Sequence, residues 1–517
     1  MKRPSILFAC ILSIAAAASG KPASLQVEAT GAPELTLRGK DARQQLLVTA
    51  KLGDGAQRDF THKATYAAAP AGIVNVDANG IVTPLADGKA TVTANVDGVA
   101  ASLPVKVEKA GAVEPINFPN QIVPIFTKAG CNSGGCHGKA SGQNGFKLSL
   151  LGFEPTEDYE HLVKEARGRR VFPAAPDNSL LLLKGIGSTP HGGGRRIEQD
   201  SDDYRLLVRW IAQGMPYGKD SDPKITAVEV LPKQRTMALK GEQQLVVLAK
   251  YSDGSVQDVT RSALYEPNDK SMAKTEEDGI VTLFDQPGDV GVMVRYQGKV
   301  TVFRATVPLG AKVESLPKPA NFIDELVFAK LRSIGMPPSP DSDDATFLRR
   351  VSLDIAGRVP SLDETRKFVA DADPAKRDTL IDSLLGSAEY ADFFANKWSA
   401  LLRNKRTKPA DARGTFAFHS WIRDAMMANK PYDQFVREIV AASGEIEDNP
   451  PVAWYRQVKE PQQQLEDTAQ LFLGMRLQCA QCHHHPYEKW SQQDYYSFSA
   501  FFSQVGRKAT TTKENEM

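Results

Sequence analysis

Two short cysteine–histidine motifs are the residues of this chain best suited to chemistry. The first is Cys131-Asn132-Ser133-Gly134-Gly135-Cys136-His137, and the second is Cys479-Ala480-Gln481-Cys482-His483. Two thiols can add to the vinyl groups of haem while the following imidazole binds the iron, so both motifs predict attached haem c. The usual spacing has two residues between the cysteines. The first motif has four, and its paired glycines give the longer loop the backbone freedom that it needs.

The cysteine count supports this interpretation over its alternatives. Of five cysteines, only Cys10 lies outside the motifs, in a segment that we expect to be removed. A disulfide within each pair would be permitted in an exported protein, but it does not require the histidine that follows. A zinc site needs four ligands, and Cys131, Cys136 and His137 supply three. For the second motif, His483-His484-His485 keeps a different metal site open as an alternative.

The candidate distal ligand of the first motif is His191. Residues Asp202 to Gln213 predict an amphipathic helix with Leu206, Leu207, Trp210 and Ile211 on one face, capped by Ser201 or Asp202 and ended by Gly214. This arrangement resembles a class I cytochrome c, in which the loop before the closing helix carries the sixth ligand, normally methionine. Here that loop, 189–195, contains His191 and no methionine, and Met215 follows the helix. His161 is a second candidate, and a surface role for His191 is the alternative.

For the second motif, the sequence predicts His483 as the proximal ligand and leaves the distal ligand open between His419 and Met475. His485 is too close to His483 to reach the opposite face of the iron, so it is expected to support the site from outside the ligand set.

Length and charge limit the remaining possibilities. A chain of 517 residues is too long for one core and predicts roughly three to five domains. A net charge of +1 gives no indication of nucleic acid or an anionic membrane surface as partner. Residues 1–20 combine Lys2 and Arg3, an apolar stretch and small residues, which predicts a secretory signal peptide and a periplasmic or extracellular protein. The apolar stretch is too short to span a bilayer, and a lipoprotein anchored at Cys10 is the less favoured alternative.

An internal duplication surrounds the first motif. Blocks of alternating apolar residues at 24–109 and 226–309 share residues at a constant offset of 199, as in Gly80-Ile81-Val82-Thr83 and Gly279-Ile280-Val281-Thr282. Short strands with frequent turns predict an antiparallel sandwich for each block. The pattern Asp253 to Thr260, followed by Gly279 to Thr282, resembles bacterial Ig-like domains of group 2. That resemblance implies spacer or adhesive modules that bind a surface glycan or protein.

Residues 318–510 predict a mainly helical domain that contains the second motif. The stretches Phe347 to Pro360, Asn429 to Glu438, Cys479 to Pro486 and Asp494 to Phe502 resemble the domain of unknown function that accompanies planctomycete-type cytochrome c modules. The resemblance implies haem and a multidomain architecture rather than a particular reaction. Members of that family usually continue into a further C-terminal domain.

The predicted fold is therefore multidomain, with two all-β Ig-like sandwiches, an α-helical cytochrome c-like domain at 114–219 and a mainly α-helical C-terminal domain. The predicted function is that of an exported dihaem c-type cytochrome that transfers electrons to or from an unnamed redox protein, without catalysis of its own. Two alternatives stay open: a cell-surface adhesion protein whose cysteines staple loops, and a haem-dependent oxidoreductase whose catalytic region is partly missing. No transmembrane segment is predicted.

Overall fold

The structure, a computed structural model, describes residues 21–507 apart from residues 114, 140, 486, 487 and 489. The predicted signal peptide, Cys10 and residues 508–510 of the predicted C-terminal domain lie outside the described residues. The chain divides into two compact units, Met1–Pro338 and Ser339–Met517.

The first β repeat forms because apolar residues alternate along its strands. In β9, for example, Ala90, Val92, Ala94 and Val96 are buried, while the residues between them are exposed or half-buried. Its ten strands are β1 Pro22–Glu28, β2 Leu35–Arg38, β3 Gln44–Gln45, β4 Leu47–Leu52, β5 Gln57–Asp59, β6 Thr65–Ala69, β7 Val74–Val76, β8 Ile81–Pro84, β9 Gly88–Val96 and β10 Val99–Glu108.

These strands form three sheets, in the orders β1-β4-β5, β2-β10-β9-β6 and β3-β8-β7. All pairs are antiparallel except β2 with β10, which is parallel. The prediction of a wholly antiparallel sandwich is therefore wrong at this edge. The two strands are far apart in the chain, so no hairpin fixes their relative direction.

The second β repeat reproduces the first strand by strand. Its sheets have the orders β11-β14-β15, β12-β20-β19-β16 and β13-β18-β17, and β12 again runs parallel to β20. Its strands are β11 Ile225–Leu231, β12 Gln234–Thr236, β13 Glu242–Gln244, β14 Val246–Tyr251, β15 Val256–Asp258, β16 Leu264–Pro267, β17 Ala273–Thr275, β18 Ile280–Leu283, β19 Gly288–Tyr296 and β20 Lys299–Val307.

The two repeats meet through a self-complementary surface. The backbone N–H of Gln244 donates to the Asp59 carboxylate, and the N–H of Gln45 donates to the Asp258 carboxylate. Each pair is the other shifted by the repeat offset, since 258 − 59 and 244 − 45 are both 199. Leu47, Val246 and Leu248 form a shared and fully buried cluster. Residues that contact each other reciprocally define a two-fold arrangement, so the repeats are a paired body rather than spacers strung along the chain.

Between the repeats, the described residues form four short α-helices: α1 Val123–Lys128, α2 Pro155–Tyr159, α3 Leu180–Gly185 and α4 Asp202–Ala212. The helix predicted at 202–213 is α4, capped by the Ser201 side chain and ended by Gly214 at a φ of 79°. Its buried face centres on Trp210, which packs against Phe118. The segment contains these short helices, but an α-helical cytochrome c-like domain is not shown by the fold and stays a prediction.

This middle segment contacts both repeats. Asp202 and Arg209 of α4 pair with Arg43 and Asp41 of the first repeat, each at 3.0 Å. The Lys128 ammonium of α1 donates to the carbonyl of Arg261 in the second repeat at 3.0 Å. Because α1 leads into the first motif, the paired repeats fix the helices that present it.

The C-terminal region is mainly helical, as predicted. Helix α5 ends at Ile334, where Gly335 with a φ of 64° forms the C-cap. No helix in the described ranges is long and apolar enough to cross a membrane. The helices are α5 Phe322–Ile334, α6 Asp344–Val351, α7 Leu362–Ala370, α8 Lys376–Leu385, α9 Ala388–Leu401, α10 Ala412–Met427, α11 Tyr432–Val440, α12 Pro461–Phe472 and α13 Gln492–Ser499.

Candidate cofactor site

The first motif is a compact loop held by backbone hydrogen bonds. The N–H of Cys131 donates to the carbonyl of Phe126 at the end of α1, at 2.8 Å, and the N–H of His137 donates to the carbonyl of Cys131 at 3.0 Å. A Cβ at Gly138 would lie 2.0 Å from the carbonyl oxygen of Asn132. Glycine at 138 is therefore required for the chain to turn so tightly after the histidine.

The loop brings His137 opposite His191. Their ring centroids are 6.3 Å apart and their planes differ by 7°. The Nδ1 of His137 lies 3.0 Å from the carbonyl oxygen of Phe146, and the Nδ1 of His191 lies 2.9 Å from that of Gly194. A carbonyl oxygen only accepts, so each Nδ1 carries the proton and each Nε2 keeps its lone pair for a metal.

The centroid separation is close to that expected for two imidazoles bound to one metal ion. Metal–imidazole bonds are about 2 Å long and each bonded nitrogen lies about 1.1 Å from its ring centroid, so opposed imidazoles have centroids roughly 6 Å apart. Within the described ranges, no group of three or more His, Cys, Asp or Glu residues is placed to hold a metal ion. Haem iron needs only two protein ligands because the porphyrin supplies four nitrogens, so the residues present suit haem better than a bare ion.

The thiols beside the pair are unbridged. None of Cys131, Cys136, Cys479 and Cys482 forms a disulfide. Cys131 is half-buried against the core of the middle segment, and burial raises the pKa of its thiol to about 11. This favours the neutral thiol over the thiolate that most metal ions bind.

Burial lowers the pKa of His137, and the nearby charges of His191, Arg170 and Lys184 lower it further. The hydrogen bond to Phe146 acts in the opposite direction. The neutral ring is therefore favoured, and this is the form that binds iron.

The other sequence candidates lie elsewhere. The Nδ1 of His161 is 2.7 Å from the Oε1 of Glu165, on the surface of the middle segment. The backbone N–H of Met215 donates to the carbonyl of Trp210 at the end of α4. The carbonyl oxygen of Met215 accepts a hydrogen bond from the Tyr159 hydroxyl. The ring geometry thus brings His191, rather than His161, to His137.

The second motif has a similar proximal residue but a less complete surrounding. The Nδ1 of His483 lies 2.7 Å from the carbonyl oxygen of His484, which again leaves Nε2 free. His485 is buried, and burial lowers its pKa. Met475 packs against the cluster that contains Ala480, and the Nε2 of His419 is 3.1 Å from the Oδ1 of Asn396. Among contacts of the described residues, none joins His419 or Met475 to His483, and the distal position stays open.

Sequence reasoning missed the residues that orient His137. The Phe146 ring lies 4.6 Å from the His137 ring, and its carbonyl fixes the tautomer. Asn132, inside the motif, is buried and donates to the Thr127 hydroxyl at 2.9 Å. The Asn144-Gly145 pair before Phe146 is a turn signal that could have drawn attention to this loop.

Asp158 ties the loop that follows the motif to α2. Its carboxylate accepts from the backbone N–H of Ser149 and from the Ser149 hydroxyl at 2.8 Å. Burial raises the pKa of this carboxyl from its ordinary 3.8 to about 6. The protonated form is therefore favoured more in the folded chain than in the unfolded chain.

A pH series should reveal this linkage. A raised folded pKa stabilises the protein fully below about pH 4, and that contribution is lost as the pH rises through about 6. The unfolding free energy of the wild type minus that of Asp158→Asn should fall by up to about 3 kcal/mol across this window. Asp220→Asn, at an exposed carboxylate of the same segment that does not act on Asp158, should keep the wild-type dependence in the same denaturation series. A constant difference for Asp158→Asn would contradict the linkage.

Comparison with protein families gives a match in the C-terminal region. Residues 322–507 match the model of PSCyt2, a family described as a protein of unknown function (DUF1549). This agrees with the resemblance of the C-terminal domain and covers the second motif. None of the curated proteins compared with the chain matches it.

Comparison with solved structures returns S-layer proteins and a domain of intimin, among others. The S-layer protein rSbsC(31-844) has a TM-score of 0.16 and 11% identity, with 57% of this chain and 29% of that chain covered. Domains 5–6 of SbsC have a TM-score of 0.23 and 11% identity, covering 55% and 97%. The D00-D0 domain of intimin has a TM-score of 0.13 and 10% identity, covering 55% and 96%. TM-scores this low support no conclusion about the function of this chain.

Proposed function

We propose that this protein is an exported c-type cytochrome that transfers electrons through haem. The observation that carries the proposal is the pair of nearly parallel imidazoles, His137 and His191, with centroids 6.3 Å apart and both Nδ1 atoms engaged by carbonyl oxygens. Cys131 and Cys136 would hold the porphyrin covalently through thioether bonds. The iron, when bound, supplies one-electron chemistry by cycling between Fe(II) and Fe(III).

The chain's own residues would set the properties of that site. Two neutral imidazoles stabilise Fe(III) more than a thioether does, so a bis-histidine site favours a lower reduction potential than a histidine–methionine site. The hydrogen bonds to Phe146 and Gly194 hold both rings in the ligand tautomer. A second haem at Cys479, Cys482 and His483 belongs to the same proposal, with its distal ligand unassigned. The partner would be a redox protein in the periplasm or outside the cell.

The adhesion alternative requires the cysteines to form disulfide bonds that stabilise loops. All four described cysteines are free, which favours haem attachment over stapling. The oxidoreductase alternative has no observation of its own in its favour.

The proposal is tested by counting haem. The full chain, expressed with a c-haem maturation system, should give a positive pyridine haemochrome assay and a denatured band that stains for peroxidase activity. We expect two haem equivalents per chain if both motifs are loaded and one if only the first is. If the protein carries no covalent haem when it is made in a host with haem maturation, the cytochrome proposal is refuted. The adhesion function would then be the favoured alternative.

A further inference from the structure

Three basic side chains near His137 and His191 have no carboxylate partner among the described residues. Each is held by backbone carbonyl oxygens: Arg170 by those of His161 and Gly145, both at 2.7 Å, Lys184 by that of Pro190 at 2.8 Å, and Arg196 by that of Gly193 at 2.7 Å. In the described chain, other basic residues of this segment, such as Lys164 and Arg195, form ion pairs, but these three form none. Carbonyl oxygens fix their positions and leave further N–H groups free to donate.

These cations are close to the ligand residues themselves. The charges of Arg170 and Lys184 act on the His137 imidazole, and that of Arg196 acts on the Cys131 thiol. The guanidinium of Arg170 lies 4.7 Å from the centre of the Phe146 ring, which is itself 4.6 Å from the His137 ring. The positive charge therefore lies near His137 and Cys131 and does not belong to a distant surface.

This charge discriminates between classes of cofactor. A bare divalent ion between His137 and His191 would meet three positive charges and no carboxylate, so its binding would be disfavoured. Haem carries two propionate carboxylates, which need charge-assisted hydrogen bonds when they leave water. An Arg guanidinium and a Lys ammonium are the side chains that bind carboxylates most strongly.

We propose that Arg170, Lys184 and Arg196 form a carboxylate-binding rim that takes the two propionates of the haem held by His137 and His191. The inference rests on the proposed function. It adds the residues that recognise the propionates of the cofactor, in addition to those that bind its iron and its vinyl groups. The rim selects an anionic porphyrin over an esterified one and over a free metal ion.

The test separates propionate recognition from covalent attachment. The full chain is made without haem maturation, and Cys131→Ser with Cys136→Ser prevents covalent attachment at the first motif. The second motif is silenced by Cys479→Ser, Cys482→Ser and His483→Ala. It is titrated with haemin and with haemin dimethyl ester, and the low-spin bis-imidazole spectrum is recorded. We expect haemin to bind at least tenfold more tightly than the ester. Neutralising one cation, as in Arg170→Gln, Lys184→Gln or Arg196→Gln, should weaken haemin binding roughly tenfold, the loss of one charge-assisted hydrogen bond.

Controls keep the outcomes distinct. Arg169→Gln removes an exposed charge next to Arg170 and should leave both affinities unchanged. Equal affinity for haemin and its ester in the unneutralised chain would overturn the rim while leaving the haem site intact. A chain that binds neither porphyrin would overturn the proposed function itself. Rim variants that keep the haemin preference, yet slow reduction by an acidic redox protein, would assign the cations to partner docking and refute the propionate role.

Discussion

Alanine at both Cys131 and Cys136 is expected to remove one covalent haem equivalent per chain. Each thioether joins a cysteine sulfur to a vinyl carbon, so without both sulfurs the porphyrin stays only through its axial ligands and is lost when the protein is denatured. The measurement is a haemochrome count on denatured protein, with the wild type and Cys479→Ala/Cys482→Ala prepared in parallel. If both motifs are loaded, each double variant should retain one equivalent, and the quadruple variant should retain none.

The two double variants also decide between one haem and two. A wild type with one equivalent that disappears only in Cys131→Ala/Cys136→Ala would limit haem to the first motif. The second motif would then be a candidate for another use of its cysteines and three consecutive histidines. A wild-type count that survives the loss of Cys131 and Cys136 unchanged would contradict attachment at the first motif.

Much of the architecture was accessible from sequence because it rests on local patterns. The constant offset of 199 residues predicted two copies of one β domain, and the strands of the two copies correspond one to one. The helical spacing around Trp210 predicted α4 to within a residue or two. Period-two alternation and helical spacing are properties of neighbouring residues, so they can be recognised without knowing what each face packs against.

The contacts between distant segments were not accessible in this way. The hydrogen bonds that link Asp59 to Gln244 and Asp258 to Gln45 join strand residues about 200 positions apart, and no local pattern marks these residues as partners. The parallel pairing of β2 with β10 has no hairpin to signal it. At the candidate site, His191 was chosen by its place in a loop, whereas Phe146, which orients His137, was overlooked and the basic run that contains Arg170 was interpreted as solvated surface. Their roles arise only when the loop after the motif folds back on His137.

The arrangement of the first unit suggests why a small haem segment would lie between two β repeats. Its helices are short, and α1 and α4 are held by ion pairs and hydrogen bonds to both repeats. The repeats in turn are locked together by reciprocal hydrogen bonds around buried Leu47 and Val246. A rigid frame of this kind reduces movement of the ligand loops. Small displacements on a change of iron charge favour fast electron transfer, which is the proposed role.

Replacing His191 with alanine is expected to change the spin state of the first haem. With both imidazoles bound, the oxidised protein should have a low-spin spectrum without the weak near-infrared band that accompanies sulfur ligation. Because the first haem does not depend on the second motif, the cleanest background silences that motif through Cys479→Ala, Cys482→Ala and His483→Ala. In that background His191→Ala should give a high-spin or water-ligated haem, and added imidazole should restore the low-spin spectrum.

Met215→Ala is the matched control, because methionine is the residue that usually completes such a site. Met215 lies beyond α4, where its backbone N–H donates to the Trp210 carbonyl, and no contact among the described residues joins its sulfur to His137. The variant should therefore keep both the low-spin spectrum and the low reduction potential of the bis-histidine site. If Met215→Ala instead loses the low-spin spectrum while His191→Ala retains it, the ligand is the thioether. The potential should then be higher than that of a bis-histidine haem, since methionine ligation favours Fe(II).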